Sequence, residues 1–177
     1  MNNSKYTIGI NFLHSDSSAC IFVDNKLIAA VEEERFTRSK HTSKFPINSI
    51  KFCLEEANIS ISDVSFVTIN TNPYSSLLKK SLFTITNLSS IRIALRSILN
   101  TKKKFRIVDL LNNVEKNNSF NGEIKYVDHH TSHIASSLYF SEFDKCANIS
   151  IDGFGDFAST SWGFYNKGKL KIKKKIH

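Results

Sequence analysis

Apolar residues alternate with polar or small ones along residues 6–12 and run together at 19–23 and 27–31, so that 6–12, 19–23 and 26–32 read as three successive β-strands. Asp24-Asn25, between the second and third, is a two-residue hairpin signal, so the chain opens as an antiparallel meander. From Pro46 the period changes. Ile47, Ile50, Phe52, Cys53, Leu54 and Ala57 recur at helical spacing, and a proline suits a first helical turn. Residues 64–70 read as a strand buried on both faces, as in a parallel sheet entered after a crossover helix.

Between 74 and 118 the apolar positions predict further helices, one or two across Leu77 to Leu99 and another through Val108, Leu110, Leu111 and Val114. Residues 124–127 return to strand, and 131–140 follow as a helix with Ala135, Ser136 and Ser137 near its middle. Strands are then predicted at 148–152, 159–165 and 170–176. Gly153-Phe154-Gly155 breaks the first from the second, and Asn166-Lys167-Gly168 turns the second into the third. The order describes a mixed α/β sheet.

At 177 residues and 41% hydrophobic, the chain is expected to form one globular unit. No run approaches the roughly 20 apolar residues that span a bilayer, and the N-terminus has no signal-peptide profile. A cytoplasmic protein with no membrane partner is expected. Cys20, Cys53 and Cys146 form no C-x-x-C pair and read as reduced core residues. Much of the +8 charge sits in Lys102-Lys103-Lys104 and in residues 167–175, where lysines alternate with Leu170 and Ile172. That alternation fits a half-buried strand with its lysines in water, and no aromatics are interleaved, so nucleic acid is not expected as a partner.

Four segments carry candidate chemistry. In His129-His130-Thr131-Ser132-His133, His129 and His133 are four apart, so on a helix starting near His129 both imidazoles leave one face and suit one divalent metal ion. Asp152, at the end of the next strand, is the natural third ligand. The competing reading is that Asp128 or Ser132 caps the helix and the histidines are polar residues at its start. In Asp152-Gly153-Phe154-Gly155-Asp156, glycines beside carboxylates let the backbone approach phosphate, which makes Gly153, Gly155 and Asp156 candidate nucleotide contacts. The turn from Gly9 to Ala19 offers Ser17 and Ser18 as phosphate donors and His14 or Asp16 for proton transfer, unless it is a plain polar hairpin. Finally, Arg35, Arg38, Lys40 and His41 lie in a charged run that either neutralises an anionic substrate or forms a salt-bridged surface loop.

Together these segments resemble the carbamoyltransferase family that includes the nodulation protein and antibiotic O-carbamoyltransferases. The matching motifs are H-x-D-x-S within the Gly9 to Ala19 turn, E-E-E-R-F-T-R-S-K-H from Glu32 to His41 followed by Phe45-Pro46, H-H-x-S-H at 129–133, and D-G-F-G-D at 152–156. The likeness runs from about residue 6 to 165, and residues 71–120 contribute nothing to it. It implies the first lobe of an actin-like ATPase (Kae1-like) fold, a β-meander followed by alternating helices and strands. In such proteins a C-terminal YrdC-like domain makes carbamoyladenylate from carbamoyl phosphate and ATP, and the Kae1-like domain passes the carbamoyl group to a hydroxyl of a small-molecule acceptor.

By motif position the resemblance makes His129, His133 and Asp152 ligands of iron(II) or another divalent metal, and His14 and Lys40 catalytic. Ser15, Ile134 and Ser137 depart mildly from the family's usual glycine and alanines. On this reading residues 1–177 are one N-terminal lobe, and a separate subunit supplying the second lobe and the YrdC-like domain is a candidate partner. The chain alone is then expected to be inactive. Two other readings are a non-catalytic nucleotide- or metal-binding remnant or subunit, and a relative of tRNA-modifying proteins, against which the E-E-E-R-F-T-R-S-K-H run speaks.

Overall fold

A computed structural model of the chain describes residues 4–12, 14–72, 107–156 and 158–176, the side chain of Phe154 excepted. The helices expected before residue 107 and the Lys102-Lys103-Lys104 turn lie outside these residues. The chain divides into two compact units.

The first unit is built on a five-stranded sheet of order β3-β2-β1-β4-β5, with β1 (Tyr6–Asn11), β2 (Ser18–Val23), β3 (Lys26–Glu32), β4 (Val64–Ile69) and β5 (Glu123–Tyr126). The first three strands form the expected antiparallel meander. Asp24 and Asn25 turn β2 into β3 with φ of 47° and 71°, the left-handed pair that a tight hairpin requires. β4 pairs parallel to β1, with Ile8 opposite Val67 and Ile10 opposite Ile69, as a crossover connection dictates. Short helix α1 (Glu34–Thr37) precedes the crossover helix α2 (Ile47–Glu56), which packs on β2 and β3.

Ile50, Cys53 and Leu54 recur at i, i+3 and i+4 and are buried, joining Ile8, Ile21, Val67 and Ile69 in the core. Each fully buried aliphatic side chain contributes on the order of 1.5–3 kcal/mol, so this face anchors the helix. Burial pushes the Cys53 thiol up to about 12, with Cys20 and Glu56 adding to the effect, and raises Cys20 as well. All three cysteines are free thiols, but only Cys53 is a core residue, Cys20 and Cys146 being half-buried. A further helix, α3 (Ile107–Asn112), buries Ile107 and Leu111.

The second unit holds α4 (His129–Leu138) and an antiparallel sheet of β6 (Lys145–Gly155), β7 (Ala158–Asn166) and β8 (Lys169–Ile176) in that order. β6 is three residues longer at each end than the alternation predicted. Gly153-Phe154-Gly155 does not end it, because a register shift between Ile151 and Gly155 absorbs the irregularity and lets pairing resume at Gly155 and Ala158. α4 begins two residues earlier than its apolar period suggested, because Asp128 caps it. Lys169, Lys171 and Lys173 are exposed on β8 while Leu170 and Ile172 are half-buried, the expected alternation. Among the described residues no helix is long and apolar enough to cross a membrane.

Candidate metal centre

The first turn of α4 is set by Asp128, whose extended backbone (φ −60°, ψ 138°) stops the helix and whose Oδ1 accepts from the Thr131 N–H at 3.1 Å and the Thr131 hydroxyl at 3.2 Å. Its other oxygen pairs with the Lys175 ammonium of β8. Burial pushes the Asp128 carboxyl up, but Lys175 and the Thr131 donors outweigh it and hold it below its ordinary value. The two readings of the histidine cluster are thus compatible: the helix is capped by Asp128, and the histidines project beyond the cap.

His129 and His133 leave one face of α4, with their Nε2 atoms 3.1 Å apart. Asp152, on β6, brings Oδ2 to 2.6 Å from Nε2 of His129 and 3.6 Å from Nε2 of His133. Among the described residues this is a group of three side chains able to hold a metal ion. Ligand atoms about 2.0–2.2 Å from a shared ion lie roughly 2.9–3.6 Å apart in tetrahedral or octahedral geometry, so the triangle fits a divalent cation with small adjustment of the short His129 contact. Two imidazoles and one carboxylate suit iron, zinc and similar ions. The hydrogen bond with His129 holds Asp152 below its ordinary value; burial opposes this, while the Gly153 N–H and the charges of both histidines assist. His133 is half exposed, which leaves the group open on its side.

His130 takes the opposite role. It is fully buried, with Nε2 2.9 Å from the Ala158 carbonyl oxygen and Nδ1 2.9 Å from the Ser150 hydroxyl. A carbonyl only accepts, so Nε2 carries the proton and Nδ1 accepts from Ser150. It fastens α4 to β6 and β7.

The two glycines of the β6 end differ sharply. A Cβ on Gly153 would meet nothing within 4 Å, whereas one on Gly155 would lie 1.9 Å from Cδ2 of His129. Gly155 is therefore the floor on which the His129 ring rests. The Gly153 N–H donates to its own neighbour Asp152, at 2.6 Å from Oδ1. Asp156, a candidate nucleotide contact, is engaged within the protein. Its Oδ1 accepts from the Thr71 hydroxyl at 2.8 Å, and its Oδ2 from the N–H groups of Asn72 at 2.8 Å and His129 at 2.9 Å.

The remaining site candidates lie in the first unit. Ser17 is fully buried: its N–H donates to the Thr42 carbonyl at 3.0 Å, its carbonyl accepts from the Glu33 N–H at 2.9 Å, and its hydroxyl has no partner among the described residues. Ser18 opens β2 opposite Asn11 and Glu32. His14 is half-buried in the β1–β2 turn, and Lys40 is exposed in the loop after α1. These two loops are stitched together by the Ser17–Thr42 bond and by His41 Nδ1, 2.9 Å from Asp16 Oδ1. Asp16, Arg38 and His41 all adopt left-handed φ, between 54° and 63°. Arg35 is exposed beside Glu32 and Glu34, so that part of the run is an ordinary surface ion-pair cluster.

Sequence reasoning assigned no role to Glu33. Only 3% exposed, its carboxylate accepts from the backbone N–H and side-chain amide of Asn48 and from the N–H and hydroxyl of Ser49. Pro46, at the start of α2, offers no side-chain cap, and Glu33 supplies the missing anion.

A family model described as carbamoyltransferase N-terminus matches residues 6–177. The chain is 34% identical over 97% of its length to uncharacterized protein sll1178 of Synechocystis sp., and 34% identical over 84% of its length to nodulation protein NolNO of Sinorhizobium fredii. It spans 29% and 21% of the lengths of those two proteins. Among solved structures, the ROK hexokinase of Thermus thermophilus aligns with 96% of this chain and 49% of its own, at 8% identity and a TM-score of 0.50. That likeness bears on the fold alone, and it agrees with the actin-like α/β arrangement expected from the order of elements.

Proposed function

The chain belongs to the carbamoyltransferase N-terminus family, and on that premise we propose that it is part of an enzyme that transfers a carbamoyl group to a hydroxyl of a small-molecule acceptor. The observation that carries this reading is the family match along residues 6–177. The convergence of His129, His133 and Asp152 supports its metal-dependent form. In this reading those three side chains hold iron(II) or another divalent ion, and the donor is carbamoyladenylate made from carbamoyl phosphate and ATP.

A bound divalent ion supplies positive charge that stabilises the negative charge on phosphate oxygens. The protein's own groups do the rest. The acceptor oxygen attacks the carbamoyl carbon, the bond from that carbon to the phosphate oxygen breaks, AMP leaves, and the hydroxyl proton passes to a base. His14 is the candidate base, and Lys40 the candidate cation for the donor's phosphate. Asp152, held ionised by its hydrogen bond with His129, stays a ligand-ready carboxylate.

Equilibrium dialysis against zinc or iron(II) under anaerobic conditions tests the metal assignment. One ion per chain is expected, lost in His133→Ala and Asp152→Ala and retained in Lys40→Ala. Transfer itself is tested in the native protein with carbamoyl phosphate, ATP and an acceptor panel. Full transfer activity in the His129→Ala, His133→Ala double variant would remove the metal from the reaction.

A further inference from the structure

We propose that Asp156 is a positioning residue, which fixes the backbone of His129 and thereby the aim of its imidazole. The proposal rests on the reading of His129 as a metal ligand, and it replaces the expectation that Asp156 contacts a nucleotide.

The first N–H groups of a helix have no partner within the helix. In α4 they are divided between two carboxylates. Asp128 takes the N–H of Thr131, and Asp156 takes that of His129 at 2.9 Å. Asp156 Oδ2 also accepts from the Asn72 N–H at 2.8 Å, and Oδ1 from the Thr71 hydroxyl at 2.8 Å, so three donors reach one carboxylate. A carboxylate engaged in this way, itself negative, is poorly placed to receive a phosphate. It is well placed to hold the positive end of a helix.

The hairpin after β6 is shaped for this purpose. Asp156 sits at φ 50°, a left-handed conformation that aspartate tolerates better than most residues, and this turns its carboxylate towards α4. Its neighbour Gly155 lies against the His129 ring, where a Cβ would come within 1.9 Å. Two consecutive residues therefore fix one histidine, Asp156 by its main chain and Gly155 by leaving room for its ring. The Nε2 atom, 2.6 Å from Asp152 and 3.1 Å from His133, lies where both constraints leave it.

Two conservative variants separate position from charge. In Asp156→Asn the amide oxygen can still accept the Asn72 and His129 N–H groups, while the NH₂ faces a Thr71 hydroxyl that can rotate to accept. Asp156→Glu keeps the charge but shifts the oxygens by about one C–C bond, ~1.5 Å. The readouts, on the whole chain, are cobalt(II) affinity from its absorption spectrum and hydrogen exchange at the His129 amide. The expected result is that Asp156→Asn stays within about 3-fold of wild type in both, and Asp156→Glu weakens cobalt(II) binding about 10–100-fold with faster exchange at His129. The reverse order, tolerance of Glu and loss with Asn, would show that charge rather than position matters and would overturn the proposal. So would a His129 amide that exchanges at the wild-type rate in both variants. Failure of the wild-type chain to bind cobalt(II) would defeat the metal reading alone, and the exchange rates would still decide the role of Asp156.

Discussion

One methyl group added at Gly155 should push His129 out of the candidate metal centre. The new Cβ would lie 1.9 Å from Cδ2, 2.4 Å from Cγ and 2.5 Å from Nε2 of the His129 ring. Carbon atoms in contact sit about 3.5–4.0 Å apart, so ring or strand must yield by roughly 1.5–2 Å. Gly155 does not have the left-handed φ that strains other residues, so the cost is steric. Overpacking of this kind costs about 1–3 kcal/mol, which lowers the melting temperature of a chain this size by about 2–12 °C. Moving Nε2 from its place 2.6 Å from Asp152 should also weaken zinc binding, by about 10–100-fold, the range for loss of support around a metal ligand. Calorimetry of the metal-free protein and isothermal titration with zinc measure the two effects separately. Gly153→Ala is the control, since its Cβ meets nothing within 4 Å and should change stability by less than about 0.5 kcal/mol. A Gly155→Ala protein that melts and binds zinc like wild type would refute the claim that this glycine exists to seat His129.

Two further outcomes follow from carboxylates. Glu33→Ala strips the acceptor from four donors at the start of α2 and should cost about 3–5 kcal/mol in urea denaturation, with a loss below about 1 kcal/mol contradicting the clamp. Asp128 has a folded pKa below its unfolded one, so its stabilisation is present above the ordinary carboxylate range and is lost as pH falls through the depressed value. Lys175→Met removes the ammonium that helps depress it, and the acid-unfolding midpoint followed by circular dichroism should move to higher pH; an unmoved midpoint would show that the ion pair is idle.

What was legible in the sequence was local. Short apolar runs gave the meander, Asp24-Asn25 its turn and alternation the lysine-faced β8, because strand patterning and hairpin chemistry are written in adjacent residues. The i, i+4 spacing of His129 and His133 gave two imidazoles on one helix face for the same reason. Glu33 was not legible. It stands between Glu32 and Glu34 with the same side chain, and only a contact 15 and 16 residues away distinguishes the buried clamp from its partly exposed neighbours. The role of Asp156 was hidden more deeply, since its donors Thr71 and Asn72 lie 85 and 84 residues away in a stretch with no recognisable motif.

His130 shows how far a motif can be read before geometry must take over. Three histidines in five residues invite the inference of three ligands, yet a helix turns about 100° per residue, so the one beside His129 cannot share its face. His130 points to the core, where the Ser150 hydroxyl of β6 and the Ala158 carbonyl of β7 take its two nitrogens. Ser150 is two residues before Asp152 on the same strand, and side chains two apart on a strand share a face. The bond from His130 to Ser150 therefore sets the spacing between the helix that bears two candidate ligands and the strand that bears the third. The histidine outside the candidate metal centre helps to fix the distances, 2.6 Å and 3.6 Å, at which the other two meet Asp152.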